Sequence, residues 1–124
     1  MKSAKDYLDT ANKSVPRLSA EEAIERVKAG KSIVVDVRDS AAITESGTIA
    51  GALRIPRGFI EFAADSATPF HNAQMKKDAD ILLVCAAGGQ AALAGKTLQD
   101  MGYASVSNIG GVSDWKDAGG AMED

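Results

Sequence analysis

The chain has 124 residues, 45% hydrophobic and 25% charged, which fits one water-soluble domain able to bury a core without disulfides or a structural metal. A net charge of -3 and a pI near 5.1, with lysines and arginines scattered along the chain, offer no basic surface and exclude nucleic acid as the expected partner. No apolar run approaches the ~20 residues of a membrane span, and the segment from Met1 to Pro16 carries acidic residues where a secretory signal would be apolar; a cytoplasmic protein without membrane contact is expected.

The segment from Ser3 to Ser14 sets Tyr7, Leu8 and Ala11 at helical spacing among charges, predicting a short amphipathic helix, an N-terminal extension over residues 1–16. Ser19-Ala20-Glu21-Glu22 reads as a capping box, with a helix running to Gly30 and Ala23, Ile24 and Val27 as its apolar stripe. The β-branched run Ile33-Val34-Val35-Asp36-Val37 predicts a strand buried on both faces. Asp36 is its anomaly, and Arg38, two positions on, is the partner expected to tie the strand end to a neighbouring loop.

Gly47 and Gly51 bracket a turn, Ala52–Ile55 predicts a short strand ended by Pro56, and Arg57–Ala64 predicts a helix with Phe59, Ile60 and Phe62 as core or lid residues. Asp65–Asp80 is polar and predicts a long loop with one helical turn near Asn72–Lys77. His71 lies there, a loop residue that Pro69 and Phe70 could bring to the rim of a site. Ile81–Val84 predicts a buried strand, Ala91–Met101 a helix with Leu93, Ala94, Leu98 and Met101 on one face, and Gly102 its stop. A last strand over Ser105–Ile109 leads through Gly110-Gly111 to a short helix reaching Trp115, and Gly119-Gly120 marks a stop and tail. Strands alternating with helices predict an α/β fold, a central parallel sheet flanked by helices on both faces.

The one cysteine, Cys85, stands where chemistry is most expected. It closes the run Ile81-Leu82-Leu83-Val84 and precedes the small-residue stretch Ala86-Ala87-Gly88-Gly89-Gln90-Ala91 that opens a helix. A free thiol titrates at about 8.5, and unpaired N–H groups at a helix start favour the thiolate, the nucleophilic form. Free cysteine usually packs as a small hydrophobe. The strand, loop and helix in succession favour a nucleophile, because open α/β sheets place ligands outside the strand carboxyl ends. One cysteine excludes an internal disulfide and requires any resolving thiol to come from outside. One cysteine and one histidine give no transition-metal site, so neither a metal nor an organic cofactor is expected.

Four fragments then stand in order: Val34-Val35-Asp36-Val37-Arg38, Gly47-Thr48-Ile49-Ala50-Gly51-Ala52, Cys85 to Gln90, and Gly110-Gly111-Val112-Ser113-Asp114-Trp115. Together they resemble a single-domain rhodanese, over about residues 17 to 120, within a domain drawn at 17–124. The resemblance implies the rhodanese-like fold, Cys85 as the sulfur-carrying nucleophile, and Ala86, Ala87, Gly88, Gly89, Gln90 and Ala91 as the loop cradling a persulfide, with Asp36 and Arg38 in support. Many members carry arginine then serine where this chain has Gln90 and Ala91, and histidine and proline where Thr48 and Ala50 stand. The first departure bears on substrate recognition, since a guanidinium fork is lost while the backbone cradle remains.

The resemblance implies sulfane-sulfur transfer from a small sulfur-containing anion, thiosulfate or a persulfide, to a thiol, cyanide or a protein sulfur acceptor. The alternative is a sulfur-binding, sensing or partner-docking module with little turnover. A Cys-x5-Arg phosphatase is disfavoured, because Ala91 occupies the sixth position after Cys85 where that chemistry needs arginine.

Overall fold

A computed structural model describes residues 1–124. Four parallel strands form the main sheet in the order β3-β1-β4-β5: β1 (Ser32–Asp36), β3 (Leu53–Arg54), β4 (Asp80–Cys85) and β5 (Ser105–Gly111). Two short strands, β2 (Thr48–Ile49) and β6 (Met122–Glu123), pair antiparallel beside it. The helices are α1 (Ala4–Ser14), α2 (Ala20–Lys28), α3 (Ser40–Ser46), α4 (Ile60–Ala64, after a 3-10 turn at Arg57–Phe59), α5 (Gly89–Asp100) and α6 (Val112–Asp117).

Alternation along β4 builds the two cores. Leu83 and Cys85 join one cluster with Val35, Val37, Ile60, Ala94 and Leu98, whereas Leu82 and Val84 join the other with Ala23, Ile109 and Trp115. A strand buried on both faces in this way must read as an unbroken apolar run, which is why the sequence made it legible. Helices α4 and α5 cover the first face and α2 and α6 the second, as expected for a parallel sheet.

The capping box at Ser19 is present, the Glu22 N–H donating to Ser19 Oγ at 3.1 Å and the Ser19 N–H to Glu22 Oε1 at 3.1 Å. Those bonds lower the Glu22 pKa. The N-terminal helix does more than extend the chain. Ala11 and Val15 are buried, and a β-carbon on Gly95 of α5 would lie 2.8 Å from a Val15 methyl, so α1 sits against the small-residue side of α5. Tyr7, expected on its apolar stripe, is exposed.

Several other expectations need correction. Neither helix α3 nor the β2–β6 pair is among the elements expected from the sequence: α3 is short, and its one buried residue is Ile43. Phe59 and Phe62 are not core; they are 38% and 49% exposed and form a surface cluster with Phe70, ring centroids 5.5–6.5 Å apart, while Ile60 between them is buried. Residues 72–77 form turns rather than a helical turn. They are held instead by Met75, which is buried, and by Tyr103, whose hydroxyl donates to the Ala64 carbonyl at 2.7 Å and the Met75 carbonyl at 3.2 Å. Burial, followed by the charge of Asp65, raises the Tyr103 pKa. On α5 the core face is made by Ala91, Ala94 and Leu98, and Met101, just past its end, packs half-buried against the same cluster as expected, whereas Leu93 is half-buried and takes no part in it.

Asp80 begins β4 and joins three elements. It accepts from Ser32 Oγ at 2.6 Å and Ser105 Oγ at 2.7 Å, and pairs with Arg26 at 3.4 Å. Partial burial opposes its charge, but the two hydroxyl bonds and the Arg26 charge outweigh it, so its pKa lies below the ordinary 3.8. A depressed carboxylate contributes stability above its unfolded pKa and loses it as pH falls through the folded value. Asp80→Asn should therefore lower the thermal midpoint at pH 7, and the gap from the parent should close as pH drops below about 4; a gap independent of pH would contradict this assignment.

Candidate active site

Cys85 ends the central strand, and the chain then turns sharply into α5. Gly88 makes the turn at φ +105°, a conformation costly for a residue with a β-carbon. That turn points the Gly88 N–H at Cys85 Sγ, 3.0 Å away, and the Ala91 N–H in the first turn of α5 reaches the same sulfur at 3.4 Å. Cys85 is 2% exposed, so little water solvates the sulfur, and the two main-chain donors supply positive charge in its place. The partial positive charge at the start of α5 adds to them. Of the loop residues, Ala86, Ala87, Gly89 and Gln90 are exposed, while Gly88 and Ala91 are buried. The loop side chains carry no charge, as the sequence requires.

The loop is held from β5. Asn108, buried at 2% exposure, donates through Nδ2 to the Gly88 carbonyl at 2.8 Å and accepts the Gly110 N–H on Oδ1 at 2.9 Å. One carboxamide thus fixes both the cysteine loop and the neighbouring turn. The pairing of β4 with β5 slips by one residue between Leu83 and Cys85, so that Cys85 meets Gly111. Gly110 absorbs the extra residue at φ +85°, as a bulge does. A β-carbon at Gly111 would overlap the Ala86 carbonyl, which explains the glycine pair. Asn108 was missed from the sequence, although a polar residue inside Val106–Gly111 just before two glycines was a usable signal.

Asp36 and Arg38 find each other as expected, but neither bonds the sulfur. Asp36 is fully buried and accepts from Arg38 Nη2 at 2.8 Å, Arg38 Nε at 3.1 Å, the Arg38 N–H at 3.0 Å and Thr48 Oγ1 at 2.7 Å. Arg38 also donates to Ser46 Oγ and the Gly47 carbonyl, each at 2.7 Å. The pair ties the end of β1 to α3 and β2, and Thr48 belongs to it structurally. Neither side chain bonds the cysteine loop, although Arg38 and Ala86 line one cavity of about 280 Å³. His71 is also apart: its Nε2 lies 3.0 Å from the Met75 carbonyl, which places it in the scaffold of the 65–80 segment. No group of three or more His, Cys, Asp or Glu side chains is arranged to hold a metal ion, and no helix is long and apolar enough to cross a membrane.

The rhodanese-like domain family matches residues 19–118. The chain belongs to that family. Among solved structures, this rhodanese-like chain is similar to a Rhodopseudomonas palustris protein of unknown function described as a possible tyrosine phosphatase, at 38% identity and TM-score 0.92, covering 99% of this chain and 96% of that one. It also matches an Anabaena protein, Alr3790, at 28% identity and TM-score 0.70, over 86% of this chain and 90% of the other. The polysulfide-sulfur transferase of Wolinella succinogenes shares the fold at 24% identity and TM-score 0.76, over 97% and 86% of the two chains. No curated protein matches the sequence.

The buried Asp36–Arg38 network yields a stability prediction. Arg38→Ala leaves a desolvated carboxylate without its cation, and such a loss costs about 3–5 kcal/mol. Urea unfolding should show it; a loss under about 1 kcal/mol would mean that Thr48 and the Arg38 N–H suffice.

Proposed function

We propose that this rhodanese-like domain transfers sulfane sulfur through a persulfide on Cys85. The observation that carries the reading is the pair of N–H groups at 3.0 and 3.4 Å from Sγ, which favours negative charge on that atom in a site with little water. The Cys85 thiolate attacks the outer sulfur of thiosulfate, a new S–S bond forms to Cys85, and the donor's S–S bond breaks, its electron pair leaving on sulfite. The extra sulfur then carries the negative charge within the loop. An acceptor thiolate or cyanide attacks that terminal sulfur, forming an acceptor persulfide or thiocyanate, and the electron pair returns to Cys85 as thiolate. Two electrons move as a pair at each step, with no external oxidant or reductant.

The loop amides act here as an oxyanion hole acts in acyl transfer: fixed dipoles already aimed at the atom where charge resides. Cys85 is nucleophile in the first step and leaving group in the second, and the same donors serve both.

A phosphatase reading, suggested by the Rhodopseudomonas protein's description, is poorly supported. The transferring phosphoryl group needs a guanidinium fork on its oxygens, and the sixth position after Cys85 is Ala91, whose own contribution is its N–H to sulfur. The uncharged loop does favour a second reading, a sulfur-holding or docking module with little turnover. Incubation with thiosulfate separates the two. Intact mass should show one added sulfur, lost in Cys85→Ser, and cyanide should then give repeated thiocyanate formation. A stable adduct without turnover, or no adduct at all, would favour the module.

A further inference from the structure

We propose that Arg17 supplies, from outside the loop, the cationic recognition of anionic sulfur donors that the loop's own side chains lack. This rests on the sulfur-transfer reading for the identity of the donor, but not for the placement of the charge.

Arg17 is held where it is by backbone pairing. It bridges to Asn108 in parallel, with the Leu18 N–H on the Asn108 carbonyl at 3.0 Å and the Asn108 N–H on the Pro16 carbonyl at 2.8 Å. The segment therefore runs as an added strand along the free edge of β5, and the Arg17 side chain comes to lie against Gly88 of the cysteine loop. A β-carbon placed on Gly88 would be 2.8 Å from Arg17 Nη1, and one on Gly110 would be 2.6 Å from Nη2. The guanidinium thus rests against the residue whose N–H donates to Sγ and against the β5 bulge that faces the loop. Glycine at both positions is what gives it room.

The charge is also uncommitted. Arg26, Arg38, Arg54 and Arg57 each bond a carboxylate, whereas Arg17 forms no ion pair and donates no side-chain hydrogen bond, and it is exposed. The nearest acid at Gly110, Asp114, directs Oδ2 to the Gly111 N–H at 3.2 Å and lies beyond ion-pair distance of Arg17. A free guanidinium in that position can attract an anion approaching the loop, a role that Gln90 and Ala91 do not fill. Arg17 lies just outside the family match, which begins at residue 19, so nothing in the loop's own pattern would single it out.

The test compares alkylation of Cys85 by iodoacetate, an anion, with that by neutral iodoacetamide, in the parent, Arg17→Gln and Arg17→Lys. The ratio of the two rates should fall roughly threefold to tenfold in Arg17→Gln at low salt and stay near the parent value in Arg17→Lys. In the parent, 1 M salt should slow iodoacetate and leave iodoacetamide unchanged; that arm holds even if Arg17→Gln fails to fold. An unchanged ratio in a folded Arg17→Gln, a salt-independent parent ratio, or a sulfur that neither reagent reaches would overturn the proposal. Thiosulfate loading of the parent, run alongside, tests the sulfur-transfer reading separately. Loading with an unchanged alkylation ratio would sink Arg17 alone; a charge-dependent ratio without loading would keep Arg17 as an anion-recruiting residue and sink the donor's identity.

Discussion

The orientation of residue Gly88 decides whether Sγ of Cys85 faces a donor N–H or a carbonyl oxygen, and most of the surrounding structure serves to fix it. At φ +105° the N–H turns inward to the sulfur, 3.0 Å away, and the carbonyl turns outward to Asn108. Neither direction would survive an ordinary side chain at that residue without strain. A buried sulfur loses hydration, and a charged one would be costly there unless fixed donors replaced the water. The loop answers that cost with backbone, which needs no particular side chain and tolerates the plain sequence Ala-Ala-Gly-Gly-Gln-Ala.

Fixing that residue draws on distant parts of the chain. Asn108 is placed by β5, whose bulge at Gly110 presents both the carboxamide and the glycine pair to the loop. Val15 and Gly95 bring α1 against α5, which carries the second donor, Ala91. The Asp36–Arg38 network has a different task. It ties the end of β1 to α3 and β2 and makes no bond to the cysteine loop.

Much of this was legible in the sequence because the features are local or periodic. The doubly buried strands read as apolar runs, the capping box at Ser19 is a four-residue pattern, and a buried aspartate two residues before an arginine announces its partner. Cys85 stood out because a strand, small residues and a helix succeed one another around it. What was not legible depends on tertiary placement. Phe59 and Phe62 have core chemistry, but the 3-10 turn at Arg57–Phe59 gives the inward position to Ile60. The β2–β6 pair joins residues far apart in sequence through two-residue strands too short to show a period. Asn108 and Arg17 meet the loop only because β5 and an added strand run beside it, and no spacing within the chain encodes that approach.

The central claim is that main-chain N–H groups hold the charge on sulfur. It is tested most directly by proton–nitrogen correlation spectra of the protein before and after one sulfane sulfur is loaded on Cys85. The Gly88 and Ala91 amide resonances should move furthest, with smaller shifts at Ala87, Gly89 and Gln90 as the charge passes to the added sulfur. Unmoved Gly88 and Ala91 resonances in a protein shown by mass to be loaded would mean that the charge is held elsewhere, and the account would be wrong.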